Sequence, residues 1–147
     1  MARVKRTGIL ILDVLGSIED RLAEHEAELA GGSPDRADDV RNRIGLLKMV
    51  RALLRSEVLD ITFQMEDADQ GQFIFRRYGQ RMSMAKCSEM TGFTSAWLYR
   101  IQRDALDSFR SAADQTGCRI LEENADILEY LGISMPDADS GSNKNGS

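Results

Sequence analysis

Residues 75–110 read FRRYGQRMSMAKCSEMTGFTSAWLYRIQRDALDSFR, and the fold turns on how they are read. Two short helical patterns flank Gly92 at helix-turn-helix spacing: Cys87 stands five residues before it, Phe93 one after, Leu98 six after and Ile101 nine after. Those positions must be small or apolar where two helices cross closely. Ser83 and Thr94 each offer a side-chain oxygen to the unpaired N–H groups of a first helical turn. They are therefore expected to cap a scaffold helix over 83–90 and a recognition helix over 95–112. Gly79 is expected to close the preceding helix, and Gly92 to give the turn its permissive backbone.

If helix 95–112 packs through Leu98, Ile101, Ala105 and Phe109, its outer side near the N-terminus carries Ser95, Ala96, Tyr99, Arg100 and Arg103, with Thr94 at the tip. That end and face of a recognition helix enters a major groove. Arginines there chelate guanine edges or phosphates, short hydroxyls bond either, and a tyrosine reaches phosphate or sugar. The bland alternative is an amphipathic helix with solvated arginines. A third helix, about 67–78, is expected to bury Phe73 and Phe75 or Tyr78, completing a tri-helical unit with Arg76, Arg77 and Arg81 near the DNA-facing side. Trp97 is read as packing at the core border against Phe93, with stacking on DNA as the alternative; Met82, Met84 and Met90 are read as gap fillers.

Upstream, Ile11, Leu15, Ile18, Leu22, His25 and Leu29 recur at spacings of four and three, the seam of a helix over about 7–30. Gly31-Gly32 stops it; Ser33 is placed to cap the next helix, and Pro34 suits a first helical position. A second helix over about 35–66 shows Val40, Ile44, Leu47, Leu54, Val58, Ile61 and Met65 on one stripe, widened by Leu46, Val50 and Leu53. The stripe exceeds what one antiparallel partner covers, so a second subunit or the helix-turn-helix unit is expected against it. After a break at Gly117, Ile120, Leu121, Ile127, Leu128, Tyr130 and Leu131 suggest a short acidic helix.

The expected fold is thus all-α: a helical hairpin over 1–66 that self-associates, a helix-turn-helix unit over 67–133 ending in the short acidic helix, and a polar tail, 134–147, expected to be disordered. Two prolines in 147 residues and no alternating strand pattern agree with it. Arg3, Lys5 and Arg6 precede an apolar run in the manner of a signal peptide. Asp13 interrupts that run, so it is read as the start of the first helix, and no segment is apolar enough to span a bilayer.

The formal net charge is −5, but residues 71–120 carry 8 basic and 4 acidic side chains between flanks that are both net acidic. Phosphate attraction is local, screened over about 10 Å, so a basic segment can bind DNA on an acidic protein. Cys87 and Cys118 have no companion cysteine or histidine at metal-ligand spacing, which suits a reduced, cytoplasmic protein. Both are read as small core residues. His25, the single histidine, sits on a helix seam and is read as packing. No phosphate-binding glycine loop, H-E-x-x-H or cysteine pair is present, so no enzyme, catalytic residue, metal or cofactor is expected.

The run from Phe75 through Tyr78, then Met84-Ala85-Lys86-Cys87, Thr91-Gly92-Phe93-Thr94, Trp97-Leu98-Tyr99-Arg100-Ile101 and Ala105-Leu106, resembles the C-terminal DNA-binding region of sigma factors. Thr91 stands where that region usually has leucine, and Cys87 and Ser88 where isoleucine and alanine are common. With the segment beginning Gly32-Ser33-Pro34-Asp35-Arg36, residues 9–112 resemble small phage and prophage sigma-like regulators of the ArpU/RinA type. The resemblance implies a transcriptional regulator of late or packaging genes, bound to double-stranded DNA near a promoter and contacting RNA polymerase. Two other readings stay open. One is a small-terminase-like DNA-packaging recognition protein, although such proteins usually place the DNA-binding unit first. The other is a protein-binding adaptor that does not touch DNA.

Overall fold

The computed structural model describes residues 7–32, 34–116 and 119–133. Arg3, Lys5, Arg6, Ser33, Gly117, Cys118 and the tail 134–147 lie outside the described residues. Among the described residues all regular elements are helical: α1 (Leu10–Gly31), a 3₁₀ turn (Pro34–Arg36), α2 (Ala37–Thr62), α3 (Ala68–Ile74), a π-helical turn (Phe75–Gly79), α4 (Met84–Thr91), α5 (Ser95–Thr116), α6 (Arg119–Glu123) and α7 (Ala125–Tyr130). The chain forms two compact units, one of residues up to Ala52 together with those from Glu122, the other Leu53–Leu121. The division therefore falls inside α2, whereas the sequence suggested a boundary after residue 66.

In the first unit, α1 buries Ile11, Leu15, Ile18, Leu22 and His25 on the expected seam, with Leu12 and Val14 widening it. Asp13, which interrupts the apolar run in sequence, fastens the helix start. Its carboxylate accepts from the Thr7 N–H at 2.7 Å, the Thr7 hydroxyl at 3.0 Å and the Gly8 N–H at 3.0 Å. From α2, Val40, Leu47 and Val50 are buried. Val50 is thus a core residue and not part of an outer stripe; Leu46 is half-buried and Met49 is 42% exposed. A half-buried ion pair joins Arg51 to Glu19 at 3.0 Å.

The acidic C-terminal segment, which had no assigned role from sequence, forms two short helices with a break at Asn124, and from Glu122 onward it belongs to this unit. Leu128, Leu131 and Ile133 are buried. Arg21 of α1 donates to the Gly132 carbonyl at 2.9 Å, and Arg43 of α2 lies 4.6 Å from the Tyr130 ring centroid. The exposed carboxylates give the helix its acidic character, and the apolar residues between them give it its place.

In the second unit, Leu54, Val58 and Ile61 of α2 are fully buried, as are Phe73 and Ile74 of α3 and Leu98, Ala105 and Phe109 of α5. α2 ends at Thr62, earlier than expected, and leaves Phe63 75% exposed while Met65 turns back into the core. Asp67 caps α3 by accepting from the Asp69 and Gln70 N–H groups. The third helix of the expected unit is α3 continued by the wider π turn, and Tyr78 is the buried aromatic of the alternatives posed.

Candidate nucleic-acid interface

α4 and α5 form the pair anticipated around Gly92. The Ser83 hydroxyl accepts from the Lys86 N–H at 3.1 Å, capping α4, and the Thr94 hydroxyl accepts from the Trp97 N–H at 3.1 Å, capping the start of α5. Gly92 adopts φ +84°, the left-handed region that side chains resist, and a Cβ added there would meet nothing within 4 Å. The requirement at that site is backbone conformation and not space. Cys87 and Leu98 are fully buried on the two sides of the turn.

The turn is also locked by hydroxyl groups that the sequence reading did not assign. Ser88 Oγ donates to the Phe93 carbonyl at 2.6 Å. Thr91 Oγ1 donates to the Cys87 carbonyl at 2.8 Å and accepts from the Phe93 N–H at 3.2 Å. Ser88 and Thr91 thus hold the turn through polar bonds to its backbone. Short hydroxyl residues beside a helix end were the available signal.

Before α4, Gly79 is the last residue of the π turn and so closes the preceding helix as expected, though not in the left-handed region. A Cβ there would meet Phe75 Cδ1 at 3.0 Å and Val58 Cγ1 at 3.6 Å, so its role is close approach. The left-handed residue of this connection is Arg81, at φ 59°. The segment is held from both sides. Arg55 donates to the Gly79 carbonyl at 2.8 Å, and Arg77 Nη1 donates to the Met82 carbonyl at 2.8 Å.

α5 packs on α3 and α4. Tyr78 fastens it further: Gln102 Nε2 donates to the tyrosine hydroxyl at 2.9 Å. Burial pushes the Tyr78 phenol above its ordinary range, with Arg77 and the Gln102 bond opposing. Burial likewise raises the Cys87 thiol, opposed by Arg77 and Arg76. A thiol held neutral in a closed core is a packing group.

The candidate contact residues divide into two sets. On α5, Ala96, Tyr99, Arg100 and Arg103 are exposed, Tyr99 at 61%, while Ser95 is half-buried and Thr94 is exposed just before the helix. Arg100 lies 5.8 Å from the Trp97 ring centroid. Trp97 in turn sits 6.3 Å from the Phe93 ring and remains 41% exposed, so it packs on Phe93 as read and yet shows a face to solvent. Arg76, Arg77 and Arg81, by contrast, are half-buried. Arg77 is tied to the Met82 carbonyl, and the Nε atoms of Arg76 and Arg77 are enclosed without a partner. Of the methionines, Met84 fills the core and Met90 lies at the surface.

Among the described residues, no group of three or more His, Cys, Asp or Glu side chains is placed to hold a metal ion, and no helix is long and apolar enough to cross a membrane. In comparisons with family models, curated proteins and solved structures, nothing matches this chain.

Proposed function

We propose that the chain is a sequence-specific DNA-binding transcriptional regulator that reads the major groove with the N-terminal half of α5. The observation that carries this reading is the division of that helix. Leu98, Ala105 and Phe109 are fully buried, while Tyr99, Arg100 and Arg103 stand exposed on the other side, at the end a helix-turn-helix presents to bases. The excess of basic side chains over 71–120 supplies phosphate attraction. The half-buried Arg76, Arg77 and Arg81 are better suited to phosphates at the edge of the contact than to bases. The resemblance to sigma-like phage regulators extends the proposal to late or packaging genes and to action with RNA polymerase in a bacterial cytoplasm. Self-association belongs to the same proposal, through the α2 surface around Leu46 and the exposed Met49.

Selection of bound duplexes from a random pool, followed by titration of the recovered sequence at two salt concentrations, tests the central claim. A recovered motif whose binding weakens with salt is the expected result. Failure to enrich any sequence, with no salt-dependent shift of DNA, would turn the reading toward a protein-binding adaptor. Sedimentation of the wild type and of Met49→Asp tests the dimer: a wild type that is monomeric at tens of micromolar removes it.

A further inference from the structure

The second unit contains a cleft of about 380 Å³ on the side of α3 where α2 ends. Leu59, Thr62, Phe63 and Met65 form one side, Ala68, Gly71 and Gln72 of α3 the next, and Phe75, Arg76 and Gln80 the last. Its volume lies at the small end of the range for small-molecule sites. Three observations distinguish it from a packing defect. Arg76 is the sole ionisable side chain among its described lining residues, and its Nε is enclosed without a hydrogen-bond partner. The side chain as a whole is half-buried, and no carboxylate stands among the described lining residues to balance its charge. Thr62, the one hydroxyl of the wall, already donates to the Leu59 carbonyl at 2.6 Å, so apart from Arg76 the polar side chains left to the wall are the uncharged amides Gln72 and Gln80, and the others are apolar. Arg76 is also carried by the π-helical turn, a local widening that is uncommon in helices and frequent at functional sites.

We infer that this cleft binds a small monocarboxylate with an apolar body, the carboxylate meeting Arg76 and the body lying against Leu59, Met65 and Phe75 beneath the exposed Phe63. A single cation in an apolar wall with no carboxylate among its described lining residues selects one negative charge and rejects a second. This site does not depend on DNA contact by α5, but it shares Arg76 with the phosphate contacts proposed above, so Ala68→Phe, which leaves Arg76 in place, and Arg100→Ala, which leaves the cleft in place, separate the two.

Backbone amide NMR of the full chain, titrated with phenylacetate and hexanoate and with phenylacetamide and hexanamide, tests it. The acids are expected to shift residues 59–80 saturably, and to bind about tenfold more tightly than their amides, as one charge-assisted contact gives. Arg76→Gln should bring the acids to the affinity of the amides while the spectrum stays folded. Ala68→Phe, at an exposed position of α3, should fill the cleft and abolish both. No saturable shift up to about 10 mM acid would overturn the inference, that being weaker than any useful site. Equal affinity of acid and amide would overturn it too. So would shifts in this segment that follow protein concentration but not ligand, which would assign the cleft to a second copy of the chain.

Discussion

α1 and α5 are both 22 residues long, yet they divide their side chains differently. α1 buries Ile11, Leu12, Val14, Leu15, Ile18 and Leu22, a dense aliphatic band that ends at the buried His25. α5 buries Leu98, Ala105, Phe109, Ala112 and Ala113, three of them alanines, and leaves Trp97, Tyr99 and Arg100 toward solvent. Large side chains on α1 face its core; on the first half of α5 most face outward. Equal lengths of helix thus serve unlike ends: one contributes bulk to a core, and the other is held by a few contacts so that its surface stays available.

Truncations inside the two cores test this comparison most severely. Leu15→Ala in α1 is expected to cost about 2–5 kcal/mol and Phe109→Ala in α5 about 3–5 kcal/mol in urea denaturation, both sites being fully buried. A loss below about 1 kcal/mol at Phe109 would mean that α5 is not anchored where its sequence periodicity says. Next in size, Arg100→Ala should weaken binding to the preferred duplex by about 1–3 kcal/mol and relax selectivity at one base pair. Its stability should change by less than about 0.5 kcal/mol, because the residue is exposed. Unchanged affinity for folded Arg100→Ala and Arg103→Ala proteins would make the two faces of α5 equivalent, and the comparison would lose its functional half.

At the turn, Gly92→Ala should destabilise by about 1–2 kcal/mol purely through backbone conformation, since nothing crowds the added methyl. An unchanged midpoint would show that the turn relaxes into another geometry. The smallest effect concerns pH. Tyr78 and Cys87 are acids held neutral by burial, with folded pKa values above their unfolded ones. Their contribution is complete well below the ordinary thiol and phenol values of about 8.5 and about 10, and is lost as pH rises past each of these toward the raised folded value. The urea midpoint should therefore fall between pH 8 and pH 10.5 by more in the wild type than in a Tyr78→Phe, Cys87→Ala double variant. Equal slopes would leave these two groups without a share in alkaline unfolding.

Much of this was legible because it follows from periodicity and from residues with narrow conformational roles. The seam of α1 as far as His25, the caps Ser83 and Thr94, the permissive Gly92 and the inward Leu98, Ala105 and Phe109 of α5 all come from spacing and capping chemistry, while Leu29 and Ile101, read into the same two sets, are only half-buried. What stayed hidden depends on partners distant in sequence. Val50 counted as outer stripe from the pattern of α2 alone, and its burial is decided by neighbours beyond that helix. The left-handed backbone of Arg81 went unread because periodicity does not report φ, and a glycine demanded by a neighbouring ring, as Gly79 is by Phe75, looks like one demanded by a turn. The Tyr78–Gln102 bond spans 24 residues and leaves no local mark. For the contact surface, sequence spacing separated inward from outward on α5. It did not show that Arg77 is tied to a carbonyl while Arg100 stands over an indole ring.

That indole has a practical consequence. Trp97 is the single tryptophan of the chain, half in contact with Phe93 and Arg100 and half in water, in the first turn of α5. The tryptophan emission of the protein, excited beyond the absorption of the three tyrosines, therefore reports on one surface alone, without a label. A duplex lying against α5 would change its colour and intensity, whereas a ligand in the cleft by α3 or a second copy against α2 has no other tryptophan through which to be seen. The molecule carries its own optical probe at the place where its proposed activity is to be judged.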